Sequence, residues 1–157
     1  MNLYGGLRLV HSYWRWAVLA TALWTLWRAH DGVATKRAWS AGDERAVRLF
    51  LAALDLQVLL GVVLYFGFSP YWSAVRHAFH AAMKDRGARF FGAEHQTAML
   101  LAFVVAHLGR LRARRAADDG ARHRILRTTL LLFFALVAWA IPWPWRSFGR
   151  PLFRSSL

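Results

Sequence analysis

Four histidines lie near the ends of long apolar stretches of the sequence: His11, His95, His107 and His123. Imidazole is a frequent metal ligand, and two histidines on different helices at one depth can hold a haem iron between them. Arg15 follows His11 by one helical turn, so the two side chains would share a helix face. The arginine can pair with a haem propionate or with the carboxylate of Glu94, and both alternatives stay open.

A further apolar stretch contains Asp55, Gln57 and Gly61. A carboxylate inside such a stretch is costly in lipid and therefore indicates a functional site. Asp55 could accept the ring N–H of His107, pair with Arg127 or carry protons. Gly61 shares a helix face with Gln57 and permits close approach of either a flat ring or another helix.

Four apolar segments would position these residues, at about 10–29, 48–68, 91–110 and 125–142. Each has about the 20 residues that cross a bilayer, and lipid requires such segments to be helical. The composition agrees, because 57% of the 157 residues are hydrophobic, nine are Trp, and the charges lie between the apolar segments. We expect an all-α fold, a four-helix transmembrane bundle. It would form a single membrane domain over residues 1–157, with an interfacial tail at 143–157.

The segment between the second and third spans has a pattern of its own. Trp72, Val75, Phe79 and Met83 recur at helical spacing between residues 69 and 90, with basic residues among them. This pattern predicts a short amphipathic helix that lies on the membrane surface.

Basic residues are concentrated in two loops. Five cations follow the first span and seven follow the third, which makes 12 of the 21 Lys and Arg residues. The positive-inside rule places these loops in the cytoplasm and both termini outside. Because the cations flank apolar spans, the formal charge of +13 does not indicate nucleic-acid binding.

The alternating direction of the spans puts the histidines in two layers. His11 and His95 would lie toward the outer face, and His107 and His123 toward the inner face. Twelve residues of helix separate His95 from His107 by about 18 Å and rotate them about 120° apart, so they face different neighbours.

We therefore expect haem b at one or two sites. The outer site would use His11 and His95 with Arg15, and the inner site His107 and His123 with Asp55 beside them. Without cysteine, thiolate metal sites and covalent haem attachment are excluded. Iron with two histidine ligands has no open position for substrate, so the haem would carry electrons, between the membrane quinone pool and a partner. The Trp-rich tail would close over the outer site.

Two alternatives use the same residues differently. His11, Glu94 and His95 could converge with His77 and His80 on copper or zinc. A bundle rich in Trp could instead be a non-catalytic accessory subunit of a larger respiratory or photosynthetic membrane complex.

Six motifs together resemble a family of small four-span bacterial membrane proteins labelled "cytochrome B". They are HSYWRW at 11–16, LDLQVLLGVVLYF at 54–66, AEHQTAM at 93–99, AHLGR at 106–110, RHRI at 122–125 and AIPWPWRSFGR at 140–150. The resemblance covers nearly the whole chain and implies a b-type cytochrome-like protein of the bacterial cytoplasmic (inner) membrane. It puts His11, His95, His107 and His123 at the histidine positions of the family. Relatives often hold histidine where this chain has Asp55, and this departure concerns the inner site.

Overall fold

The computed structural model describes residues 3–153, and all of the regular structure in this range is helical. The helices are α1 Leu3–Thr35, α2 Ala41–Phe68, α3 Pro70–His77, α4 Phe79–Lys84, α5 Arg86–Arg89, a π-helical turn Phe90–Glu94, α6 His95–Arg114 and α7 Asp119–Ala140. The expected all-α class is therefore confirmed.

The four long helices pack side by side in a ring. Helix α1 contacts α2 and α7, and α6 contacts α7 and α2. Helices α1 and α6 therefore lie diagonally across the bundle, as do α2 and α7. The centre is filled across the α2–α7 diagonal, where Phe50 of α2 meets Phe133 of α7 edge-on, with 5.0 Å between the ring centroids.

Small side chains bring the helices close together. Helix α6 buries Ala98, Ala102, Ala106 and Gly109 along one face. A β-carbon at Gly109 would collide with Thr129 of α7, so the two backbones approach where glycine stands. Large apolar side chains are instead exposed on all four long helices, among them Leu23, Leu59, Leu100 and Leu131.

Two helices, α2 and α7, are long and apolar enough to cross a membrane. Helices α1 and α6 have lower mean hydropathy because Trp, His and Arg residues interrupt their apolar sequence. The boundaries also differ from the expected spans. Helix α7 stops at Ala140, where Ile141 turns extended with φ −70° and ψ 130°. Pro142 explains this stop, since proline disfavours helical geometry in the residue before it.

The prediction of a single amphipathic helix between the second and third spans is wrong. The segment forms three short helices, because Ala78 leaves helical geometry with φ −143° and ψ 53°. This break turns Phe79 away from the face of Trp72, and Phe79 is 62% exposed. Trp72 packs on Phe66 of α2 at 5.0 Å between centroids, so the first short helix is held by α2.

The tail after α7 folds back over one end of the bundle. Its turns are closed by backbone bonds from Gly149 to the Arg146 oxygen at 2.8 Å and from Arg150 to the Pro142 oxygen at 3.0 Å. Gly149 lies so close to the carbonyl of Trp143 that a β-carbon would not fit. Phe148 stacks on the buried Phe90 at 4.4 Å between centroids. We call this end of the bundle the tail end and the opposite end, with the connections 36–40 and 115–118, the loop end.

Candidate functional site

His11 contacts α2 at the tail end through Gln57. The amide nitrogen of Gln57 lies 3.1 Å from the backbone oxygen of His11 and 3.3 Å from its ring Nε2. Because the amide nitrogen donates, Nε2 accepts and Nδ1 carries the proton. Gly61 lies one turn further along α2, where a β-carbon would come within 3.2 Å of His11 Cε1. Glycine at this position therefore leaves room for the imidazole ring.

His95 is oriented by the end of α7. The π-helical turn ends immediately before it, and its Nδ1 lies 2.9 Å from the backbone oxygen of Ala140. A carbonyl only accepts, so Nδ1 carries the proton and Nε2 keeps its lone pair. Ligand histidines are commonly held in this way, with one ring nitrogen bound to a backbone carbonyl and the other left for the metal.

The structure brings His11 and His95 together although they come from diagonal helices. The two imidazoles lie close enough to interact electrostatically. Arg15 also lies close enough to interact electrostatically with each of them. This is the pair that the sequence predicted for the outer layer.

Arg15 does not contact Glu94. Its Nη2 donates to the backbone oxygen of Leu152 at 2.7 Å, and its guanidinium lies over the ring of Trp16 at 5.3 Å. Glu94 instead accepts from Arg89 at 2.8 Å. Since Trp16 also stacks on Phe153 at 5.0 Å between centroids, α1 is tied to the tail at two adjacent residues.

Buried polar atoms without partners form two groups among the described residues, one at each end of the bundle. The loop-end group belongs to Trp39, Arg110, Arg122 and His123. The tail-end group has five atoms: His11 Nδ1, Arg15 Nε, Trp16 Nε1, Gln57 Oε1 and Gln96 Oε1. A buried polar group without a partner costs about 1–3 kcal/mol. Five in one region indicate a place for a polar ligand or ordered water. Imidazoles and a guanidinium are also the groups that would hold the iron and a propionate of haem.

The predicted inner pair is not brought together. His107 of α6 faces α2, with Nδ1 3.0 Å from the Phe103 oxygen and Nε2 3.2 Å from Asp55 Oδ1. Both ring nitrogens face acceptor oxygens, so neither is left free for iron. His123 of α7 is fully buried and faces α1, against Gly32 and beside the ring of Trp39. The two histidines point to different neighbours, and the contact between Gly109 and Thr129 places His107 further from the loop end than His123.

The residues of the predicted copper or zinc site are also separated. Arg76 lies 3.0 Å from His77 Nε2, His80 is exposed, and Glu94 is paired with Arg89. Within residues 3–153, no group of three or more His, Asp or Glu side chains is placed to hold a metal ion.

A buried ion-pair network at the loop end was not predicted from the sequence. Asp43 is 2% exposed and accepts from Arg28 at 2.9 Å and from Arg37 at 2.7 and 2.9 Å. Ser40 begins α2 with a capping box, in which its side chain and that of Asp43 each bind the other's backbone N–H. The spacing Ser-x-x-Asp before an apolar run was the available signal. This network joins α1, the first connection and α2.

Comparisons with protein-family models, with curated proteins and with solved structures find no match for this chain.

Proposed function

We propose that this protein is a four-span membrane protein that binds haem b at the tail end through His11 and His95. The observation that carries the proposal is the arrangement of these two imidazoles, with His95 Nε2 left unbonded by the Ala140 contact and partnerless polar atoms around them. The membrane location is supported by the exposed large apolar side chains on all four long helices. Small residues inside and large ones outside are typical of helices that pack within lipid.

Each residue of the proposed site has a separate role. His11 and His95 would hold the iron, with His11 Nε2 releasing its contact with the Gln57 amide, and Arg15 would supply a cation for a propionate. Gln57 holds the backbone of His11, and Gly61 leaves space beside its ring. Bound haem would supply one-electron exchange, and we propose that the protein carries electrons between quinone in the membrane and a partner. The tail would exclude water from this end.

Absorption spectroscopy tests the proposal. Protein purified from haem-replete cells should show sharp α and β bands on reduction, with one haem per chain, because His107 and His123 face different neighbours. His11→Ala and His95→Ala should each abolish the bands, whereas the control His80→Ala, which changes an exposed histidine, should retain them. Colourless protein would contradict haem binding and favour the accessory-subunit alternative. Two one-electron components in a redox titration would contradict a single site.

A further inference from the structure

An open cleft of about 460 Å³ lies beside the proposed haem site at the tail end. Its walls come from three parts of the chain: Arg8 of α1, Tyr71 and Phe91 before α6, and Phe148 and Arg150 of the tail. The cleft exists because the tail folds back, so its shape depends on the compact turns around Gly149.

The two arginines of the cleft have no anionic partner among the described residues. All eight Asp and Glu residues of the chain are among the described residues, and none forms an ion pair with Arg8 or Arg150. Arg8 lies over the ring of Tyr4 at 5.2 Å. Both arginines are partly buried, so neither is merely a solvated surface charge. An anion in the cleft would be attracted by both.

Aromatic rings hold Arg150 in place. Its guanidinium lies over Phe91 at 4.2 Å, and its Nη2 donates to the Tyr71 hydroxyl at 3.3 Å. Tyr71 and Phe91 stack on each other at 5.2 Å between centroids. The planar group is therefore fixed at its edge and its face, and the remaining N–H groups suit the oxygens of a phosphate.

The cleft also lies at the level expected for lipid headgroups. Arg8 is two residues before the first proposed span, and Arg150 follows the end of α7 by ten residues of folded tail. Trp145 in the same tail is 75% exposed and stacks on Trp143. Exposed Trp side chains are typical of the boundary between hydrocarbon and headgroups.

We propose that the cleft binds the phosphate headgroup of an anionic phospholipid between Arg8 and Arg150, with the acyl chains lying along the apolar outer surface of the bundle. A phosphate with no compensating cation in its own headgroup would be preferred, because both walls of the cleft are cationic. The inference rests on the membrane location proposed above but not on haem binding.

Lipid titration of the full chain, purified in a neutral detergent and stripped of lipid, tests this inference. Phosphatidylglycerol should bind, as seen by native mass spectrometry and a raised unfolding temperature, at lower concentrations than phosphatidylcholine with the same acyl chains. Arg8→Gln and Arg150→Gln should each weaken the phosphatidylglycerol affinity about fivefold, as expected for one basic residue near an anionic surface. The control Arg112→Gln removes an equal charge from an exposed position at the loop end and should leave the affinity unchanged.

Two further measurements distinguish a lipid headgroup from free phosphate and provide a second variant in case the first does not fold. Inorganic phosphate at the same concentration should not raise the unfolding temperature, and equal protection would assign the cleft to free phosphate instead. If Arg150→Gln does not fold, Arg150→Lys keeps the charge, loses the planar group over Phe91 and should weaken affinity by a smaller factor. Equal affinity for the two lipids, or an unchanged affinity in Arg8→Gln, would overturn the inference. If cell fractionation finds the protein in the soluble fraction and not with the membranes, the proposed membrane location is contradicted instead.

Discussion

Asp43 is the most constrained charge in the described part of the protein. Its carboxylate is buried, and both of its oxygens accept from arginines of the loop end. Burial alone would raise the pKa of Asp43, but hydrogen bonds from Arg37, Ser40 and Arg28 outweigh it and lower that pKa far below its usual range. Asp43 lies before the apolar part of α2, so this electrostatic arrangement belongs to the loop and not to the proposed span.

We expect Asp43→Asn to lower the free energy of unfolding by about 3 kcal/mol, because it leaves Arg28 and Arg37 without their shared anion. The control Asp31→Asn removes the 39%-exposed partner of Arg37 and should cost less than about 1 kcal/mol. Thermal unfolding in detergent measures both variants. Equal losses would show that burial of Asp43 contributes nothing beyond a surface ion pair.

The carboxylate of Asp43 should make the free energy of unfolding depend on pH in the acid range. Because the pKa of Asp43 is lower in the folded protein, the ionised form favours folding. Its contribution is complete above the ordinary Asp pKa of about 3.9 and is lost as the pH falls below that value. Unfolding temperatures of the parent protein should therefore converge with those of Asp43→Asn between about pH 4 and pH 2. Parallel curves over this range would contradict the assignment.

The connection between α1 and α2 contains the one positive-φ residue among residues 3–153, Lys36 at φ 54°. A side chain at such a position crowds the following carbonyl, and glycine avoids this contact. Lys36 directly follows the last residue of α1, where glycine commonly ends helices.

Lys36→Gly should therefore raise the free energy of unfolding by about 1 kcal/mol, measured by thermal or denaturant unfolding. The control Lys84→Gly removes an exposed lysine from the last position of α4. It should not raise the free energy of unfolding, since glycine is unfavourable within a helix. Destabilisation by Lys36→Gly would show that the lysine makes contacts that outweigh the backbone strain.

The long helices were predictable because each contains an apolar stretch of about 20 residues, the length of helix that crosses a bilayer. The breaks were not, because nothing in the apolar pattern distinguishes Ala78 from a helical residue or Phe90–Glu94 from an ordinary helical turn. These features depend on packing, since Phe90 is buried against Phe148 of the tail.

The candidate site was only partly predictable. Helical rise gives an approximate level for each histidine, and it predicted His11 beside His95, which the structure places at the same end of the bundle. The order of helices around the ring decides which residues face each other, and that order depends on close contacts such as Gly109 with Thr129. The same contact sets the register of α6 against α7, so His107 and His123 lie at different levels and diverge, whereas Asp55 lies beside His107. The haem itself stays a prediction.

For the whole molecule, four spans would put both termini on one side of the membrane, and the positive-inside rule predicts that this side is outside. A reporter active only outside the cytoplasm, fused after residue 157, should be active, and the same reporter inserted between Ala116 and Ala117 should be silent. The second fusion is the internal control, because it lies in the most basic connection. Activity at both positions would contradict the single span, α7, that the proposed topology has between them.

The hydrogen bond from Arg15 to the Leu152 carbonyl joins residues 137 positions apart in the chain. During synthesis, Arg15 and His11 leave the ribosome long before the tail that covers them, and α7 precedes that tail. The four long helices can therefore be assembled while the tail end is still uncovered. Closure of this end therefore follows synthesis of the four long helices, which would give the proposed haem a period for loading before the tail covers its site.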